Sequence, residues 1–117
     1  MIHVSGQYRY LVYCGNADMR KSFHGLAALV KYHMKCDVLN GDIFIFFSKR
    51  RNSIKLLRFE GDGFAIFYKH LEKGTFEMPS YDEPSGSVLI TDNQLLFILK
   101  GVSLKKITYR LRYSHLQ

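Results

Sequence analysis

The segment from Gly41 to Gly74 limits the possible folds of this chain more than any other feature. It reads GDIFIFFSKRRNSIKLLRFEGDGFAIFYKHLEKG and contains three runs rich in branched apolar and aromatic residues, separated by short polar turns. Such runs are typical of β-strands. The Asp-Gly pair at positions 62 and 63 suits a tight hairpin, because such a turn needs positive φ. The segment therefore predicts a β-meander.

We expect the three strands of this meander at Ile43–Lys49, Ser53–Glu60 and Phe64–Leu71. The first is almost entirely apolar, which predicts a central strand that is covered on both faces. A short fourth strand is predicted at Thr75–Met78. The segment Pro79–Ser87 contains both prolines of the chain and is predicted to be a loop.

The flanking segments predict one more strand and two helices. Alternation over Tyr8–Cys14 predicts a first strand. Asp18 is predicted to cap a helix whose apolar positions recur on one face; these are Met19, Phe23, Leu26, Ala27, Val30 and Met34. A second, shorter helix is predicted at Asn93–Lys100, capped by Thr91 or Asp92 and ended by Gly101. Lys105–Tyr113 is interpreted as a last strand or a basic tail.

Length and composition complete the prediction of fold class. A chain of 117 residues with 47% hydrophobic residues is large enough for one modest core. We therefore expect a single α+β domain over residues 1–117. It should contain a mainly antiparallel sheet, one amphipathic helix and one short C-terminal helix.

The charge of the chain indicates a polyanionic partner. The formal net charge is +7, and such an excess favours binding to nucleic acid or to an anionic membrane surface. No apolar run is long enough to span a bilayer, and no cationic N-terminal region precedes an apolar stretch. We expect a cytoplasmic protein with no membrane partner. Cys14 and Cys36 are interpreted as buried thiols.

Basic residues concentrate in the meander, where no acid occurs between Ile43 and Phe59. The cluster Lys49-Arg50-Arg51 is the most distinctive part, since a turn tip can reach a groove or a run of phosphates. The alternative is a solvated turn that protects the sheet from edge-to-edge pairing. The predicted nucleic-acid-binding residues are Arg20, Lys21, Lys49, Arg50, Arg51, Lys55, Arg58, Lys69 and Lys73.

The aromatic residues of the meander have two possible roles. Stacking on bases suits a binder of single-stranded nucleic acid. The chain contains no Trp, however, so its phenylalanines are needed to fill the core. We expect most of them to be buried, and Tyr68, which precedes Lys69 and His70, to be the exception.

Catalysis, metal binding and cofactor binding receive little support from the sequence. Asp18, Asp42, Asp62 and Asp92 stand at expected turns or caps, positions that Asp occupies for backbone reasons. No histidine or cysteine has zinc-ligand spacing, and no phosphate-binding glycine motif is present. We therefore predict no catalytic residue, no metal and no cofactor.

Three segments of the sequence form an ordered set of motifs. The first is Asp18–Phe23 followed by Gly25–Val30; the second runs from Gly41 through Phe47, Arg50-Arg51 and Ile54–Leu57; the third runs from Gly61 through Phe64, Tyr68-Lys69 and Leu71–Gly74. In this order they resemble the accessory protein encoded by the second reading frame of bacterial IS66 family insertion sequences. Gln94–Leu96 and Gly101 add a weaker similarity. Together the segments span residues 7 to 104. His24, Phe59, Glu60, Phe67 and His70 depart from the family pattern.

This resemblance implies a non-enzymatic protein that assists DNA transposition beside a separate, larger transposase. Its implied partners are the transposon ends and that transposase. We expect the basic residues to contact phosphates mainly, with weak intrinsic sequence preference.

Two other functions remain open from the sequence. One is an adaptor whose basic face binds an acidic surface of the transposase without direct DNA binding. The other is a small metal-dependent nuclease that uses Asp42, Glu60 and Asp62, because such enzymes need converging carboxylates.

Overall fold

A five-stranded sheet forms the centre of the protein in a computed structural model, which describes residues 4–81 and 86–104. The strands are β1 (Tyr10–Asn16), β2 (Ile43–Phe47), β3 (Ser53–Phe59), β4 (Phe64–His70) and β5 (Ser87–Ile90). The helices are α1 (Phe23–Tyr32) and α2 (Asp92–Lys100). The predicted strand or tail at Lys105–Tyr113 lies outside the described residues.

The strand order β4-β3-β2-β1-β5 confirms a mainly antiparallel α+β fold. Neighbouring strands β2, β3 and β4 form the predicted meander, in which Leu57 pairs with both Phe44 and Ile66. Strand β5 runs antiparallel to β1. Among the described strands, only the pair β1–β2 is parallel, and parallel neighbours require a crossover, which α1 supplies.

The two faces of the sheet are covered by different helices, because successive side chains of a strand point to opposite faces. Phe44 and Phe46 pack with Leu26 and Val30 of α1. The alternate residues of β2, including Ile45, pack on the other face with α2. All residues of β2 are at most 1% exposed, which confirms the prediction of a covered central strand.

Helix α1 begins four residues later than the sequence suggests, so the prediction that Asp18 is its N-cap is wrong. Ser22 occupies the N-cap position and has an extended backbone. Asp18 instead closes a local turn: its Oδ1 accepts the Arg20 N–H at 2.9 Å, and its carbonyl accepts the Lys21 N–H at 3.0 Å. Aspartate favours such turns as strongly as it favours helix caps.

The predicted strand at Thr75–Met78 is also wrong. This segment is not part of the sheet; Phe76 is 3% exposed, and its N–H donates to the Arg51 carbonyl at 2.6 Å. The strand missing from the prediction is β5, which begins at Ser87, the last residue of the predicted loop. Four residues carry too little periodicity to be recognised before their pairing with β1 is known.

Helix α2 confirms the predicted signals at both of its ends. The Thr91 hydroxyl accepts the Gln94 N–H, and the Gln94 side chain accepts the Thr91 N–H, so the two form a capping box. Gly101 ends the helix with a φ of 77°. In the part of the chain that the structure describes, no helix is long and apolar enough to span a membrane.

Candidate nucleic-acid interface

One end of the sheet carries the tip of the meander. Strands β1, β2 and β4 finish at this end, where β3 and β5 begin, because Asn16 pairs with Phe47 and Ser53 pairs with His70. We call it the turn end, since it holds the β2–β3 turn at residues 48–52. Side chains that are far apart in sequence meet here.

The β2–β3 turn is held by its own polar residues. The Ser48 carbonyl accepts the Arg51 N–H at 2.9 Å, and the Ser48 hydroxyl accepts the Ser53 N–H at 3.1 Å. Arg51 adopts a φ of 58°, the left-handed conformation that closes the turn. The side chains of Lys49, Arg50 and Arg51 are all exposed. The fold therefore presents three adjacent cations at the tip.

Two other segments bring cations towards this tip. Lys69 lies near the end of β4, and Lys73 follows that strand. The segment Ala17–Ser22 leaves the same end, where the Ala17 N–H donates to the Phe47 carbonyl at 2.9 Å, and then passes over the α1 face of β3. We define the basic rim as the exposed residues Arg20, Lys21, Lys49, Arg50, Arg51, Lys69 and Lys73.

Most of the basic rim carries uncompensated charge. Among residues 4–81 and 86–104, Arg20 is the rim residue with an ion pair, at 2.8 Å from Asp18. Hydrogen bonds from Arg20 lower the pKa of Asp18 to about 2, and the same contact raises the pKa of Arg20. This pair is largely exposed to solvent, so it is weak. The rim therefore keeps a net positive charge.

Lys55 lies beneath the rim rather than on its surface. Lys55 is only 9% exposed, and its Nζ donates to the Met19 and Lys21 carbonyls at 2.7 and 2.8 Å. The same Nζ lies 5.0 Å from the ring centroid of Tyr68. This geometry points to a positioning role, because Lys55 fastens the segment that carries Arg20 and Lys21 to the sheet.

Arg58 is the predicted binding residue that the fold separates from the others. It lies near the end of β3 that is opposite the turn end. Its guanidinium stacks over the Tyr8 ring at 4.2 Å and lies 3.9 Å from Glu60. Its Nε is buried and has no hydrogen-bond partner within residues 4–81 and 86–104. These contacts commit Arg58 to packing and to a local ion pair.

The acids named for a nuclease also lie at that opposite end of the sheet. Asp42 precedes β2 and lies 3.8 Å from Arg9, while Glu60 contacts Arg58. Within the described ranges, no three His, Cys, Asp or Glu side chains form a group that could hold a metal ion. At that end of the sheet, the acids Asp42 and Glu60 therefore lie beside arginines, Arg9 and Arg58.

Two features of the site have no signal in the local sequence. Lys100 ends α2 beside β4, where the Lys69 Nζ lies 3.2 Å from the Leu99 carbonyl, and it therefore extends the positive surface. His70 Nδ1 lies 2.7 Å from the Ser53 hydroxyl. Only the strand register and the position of α2 bring these residues together. The pairing of Ser53 with His70 in the register would have revealed the second contact.

The aromatic residues divide as expected from the sequence. Phe44, Phe46 and Phe47 are fully buried, whereas Tyr68 is 52% exposed. The remaining phenylalanines of the meander, Phe59, Phe64 and Phe67, are half-buried. The prediction that Tyr68 is the exception is confirmed.

Comparison with known proteins identifies the family. The family model described as IS66 Orf2 like protein matches residues 8–109. Two proteins of Sinorhizobium fredii are similar along most of their length, y4hO with 33% identity over 84% of each chain and y4jC with 28% identity over 92% of this chain and 90% of the relative. Both carry the description "uncharacterized protein". No solved structure matches significantly.

The family match covers most of the chain, including the turn end and every residue of the basic rim. It agrees with the resemblance carried by the three sequence segments. This protein therefore belongs to the IS66 Orf2-like family, whose members have an accessory role in insertion sequences.

Proposed function

We propose that this protein assists transposition by binding DNA through the basic rim, without catalysing a chemical step itself. The single observation that carries the proposal is that the fold brings seven exposed cations to the turn end and to the adjoining α1 face of β3. Three separate chain segments supply them. Such convergence needs a partner with many regularly spaced negative charges, and the phosphates of DNA have that property.

The distribution of charge supports this choice of partner. The rim lies at one end of the sheet, while Asp42 and Glu60 lie at the other and are engaged by arginines. The excess of cations in the rim therefore attracts a polyanion to this part of the surface. That attraction favours DNA contact over a solvated turn.

Phosphate contacts set the expected strength and salt dependence of binding. Each phosphate that is neutralised releases counterions, so affinity falls as salt rises. If about four rim residues reach phosphates, a fourfold rise in salt should weaken binding about 100-fold. Contacts of this type position a protein without reading sequence, so we expect little preference among DNA sequences.

The family supports the second part of the proposal, in which the chemistry of strand transfer belongs to a separate transposase. The role left for this protein is to hold or shape DNA near the element ends, alone or together with the transposase. The proposal that the partners are the transposon ends and the transposase rests on this division of labour.

The experiment is a salt series of binding to duplex DNA from the element ends and to a scrambled duplex, measured by fluorescence anisotropy. The test variant is Arg50→Glu/Arg51→Glu, which lowers the formal charge from +7 to +3. We expect it to abolish binding at moderate salt while the thermal melting curve stays unchanged. Both side chains are exposed, so the reversal should not unfold the domain.

The matched control is Lys31→Glu/Lys35→Glu, which lowers the formal charge by the same amount. Both residues are exposed and lie at or after the end of α1, on the β1–β5 side of the sheet, whereas the rim lies on the β2, β3 and β4 side. We expect this control to keep most of the binding. Equal losses in both variants would show that net charge alone matters and would refute the rim. Absence of binding by the unmodified protein at low salt would favour the adaptor for the transposase.

A further inference from the structure

We propose that this protein binds DNA that contains unpaired bases, and that the Tyr68 ring stacks on one of them. The inference rests on the proposed function, because it assumes that the rim holds a DNA backbone. It adds the class of DNA and the residue that distinguishes that class. A single strand, a frayed end and a flap share the required chemistry, which is an uncovered base face.

The position of Tyr68 in the fold is the first observation. Tyr68 lies on β4, an edge strand, on the face of the sheet that α1 covers elsewhere. Ile66, two residues earlier on the same face, packs into the α1 core cluster, whereas Tyr68 is 52% exposed. The side chain is therefore not needed to fill the core.

The second observation is that the ring is held in place. The Lys55 Nζ lies 5.0 Å from its centroid and is itself fixed by the Met19 and Lys21 carbonyls. A supported ring loses little conformational freedom when a ligand stacks on it. Because Lys55 approaches one face of the ring, we infer that the opposite face is the one open to a base.

The third observation is the cationic segment beside Tyr68. The Lys21 carbonyl accepts from the same Lys55 Nζ that lies over the ring, and the exposed Arg20 precedes Lys21. Lys69, although next in sequence, points to the α2 face, where its Nζ lies 3.2 Å from the Leu99 carbonyl. An aromatic ring beside cations that can hold a backbone is the combination that single-strand binders use. The backbone and the base of one nucleotide could thus be held together.

The geometry of duplex DNA explains why the base must be unpaired. In a duplex, each base face is covered by its neighbours, so a side chain on the surface of a sheet cannot stack on it. Every base has a π-face, so stacking on Tyr68 should occur with little dependence on sequence. The rim alone would bind both forms, and Tyr68 would add affinity only for the unpaired form.

The test compares a short single strand with the duplex of the same sequence, using Tyr68→Leu and Tyr68→Phe. We expect Tyr68→Leu to weaken single-strand binding roughly 10-fold and to leave duplex binding unchanged. Tyr68→Phe keeps the ring and should bind nearly as well as the unmodified protein. A strand carrying 5-iodouracil should crosslink to Tyr68 under ultraviolet light.

The chain provides a close control in Tyr32. It is 61% exposed and has a lysine ammonium, that of Lys31, 5.2 Å from its ring centroid. It lies at the end of α1 and outside the basic rim. Tyr32→Leu should therefore leave single-strand binding unchanged.

The outcomes separate this inference from the proposed function. Equal effects of Tyr68→Leu on single strand and duplex, or no effect on either, would overturn the stacking while the rim remains valid. Failure of the unmodified protein to bind any DNA would overturn both. If Tyr68→Leu instead loosened the segment with Arg20 and Lys21, the salt dependence of duplex binding would fall, and that result would also overturn the stacking.

Discussion

Replacing Lys55 with Met tests whether a buried ammonium organises the segment that leads into α1. Lys55 is 9% exposed and donates to two carbonyls, those of Met19 and Lys21. No ion pair with Lys55 occurs among residues 4–81 and 86–104. Methionine keeps most of the length and the apolar character of the side chain but removes both hydrogen bonds.

The expected magnitude follows from opposing contributions. Hydrogen bonds from a charged donor contribute about 1.5–3 kcal/mol each, so the pair contributes about 3–6 kcal/mol. The contact with the Tyr68 ring adds about 1 kcal/mol. Burial of the ammonium costs several kcal/mol, and the variant avoids that cost. We expect the free energy of unfolding to fall by about 2 kcal/mol, since the carbonyls lose their partner.

Thermal melting followed by circular dichroism measures this effect. For a domain of this size, a loss of about 2 kcal/mol lowers the Tm by roughly 6–10 °C. The control is Lys69→Met on neighbouring β4, whose exposed ammonium makes one hydrogen bond at 3.2 Å, to the Leu99 carbonyl. This control should change stability by less than about 0.5 kcal/mol. A Lys55→Met variant that melts at or above the Tm of the unmodified protein would refute the reasoning, because desolvation would then outweigh the hydrogen bonds.

Two further substitutions test neighbouring features. Asp18→Asn keeps the local turn but frees Arg20, so DNA binding should tighten and its salt slope should steepen by about one. Identical binding by Asp18→Asn and the unmodified protein would argue against competition between Asp18 and phosphate. In the unmodified protein, the Asp18 pKa is lowered from 3.8 to about 2. The contact with Arg20 therefore stabilises the fold above pH 4, and this stabilisation is lost as pH falls towards 2. Gly86→Ala should lower the free energy of unfolding by about 2 kcal/mol, because the added Cβ would collide with the His33 carbonyl and would lie 2.9 Å from the Met34 Cα. Gly63→Ala is its control in the same melting experiment, because the Gly63 φ is not positive and the added Cβ would meet nothing within 4 Å among the described residues. Equal melting of both variants would contradict the close approach.

Short-range patterns predicted the elements whose residues interact locally. The apolar run of β2 predicted a strand covered on both faces, because such a run has no polar side to expose. Helix α2 was predicted within one residue, since Thr91 and Gly101 end it through contacts inside the same segment. The errors fall where local signals are ambiguous, as at Asp18, whose turn resembles a helix cap in sequence.

The candidate site could be predicted only as a set of residue types. Composition and the Lys49-Arg50-Arg51 cluster indicated an anionic partner, and that inference used charge alone. The different roles of Lys55 and Arg58 could not be predicted, because both lie on one strand three residues apart. The pleat of the strand points the two side chains to opposite faces of the sheet. Lys55 therefore binds the Met19 carbonyl, whereas Arg58 stacks on Tyr8.

By itself, the sequence determined the meander, one amphipathic and one short C-terminal helix, the positive charge and the family resemblance, because each depends on residue type and near-neighbour spacing. The tertiary structure alone decided that Ser87–Ile90 pairs with β1 and that three distant segments share one basic rim. It also decided that Lys55 supports Tyr68. These outcomes depend on strand order and register, which arise when the whole chain buries its apolar faces together.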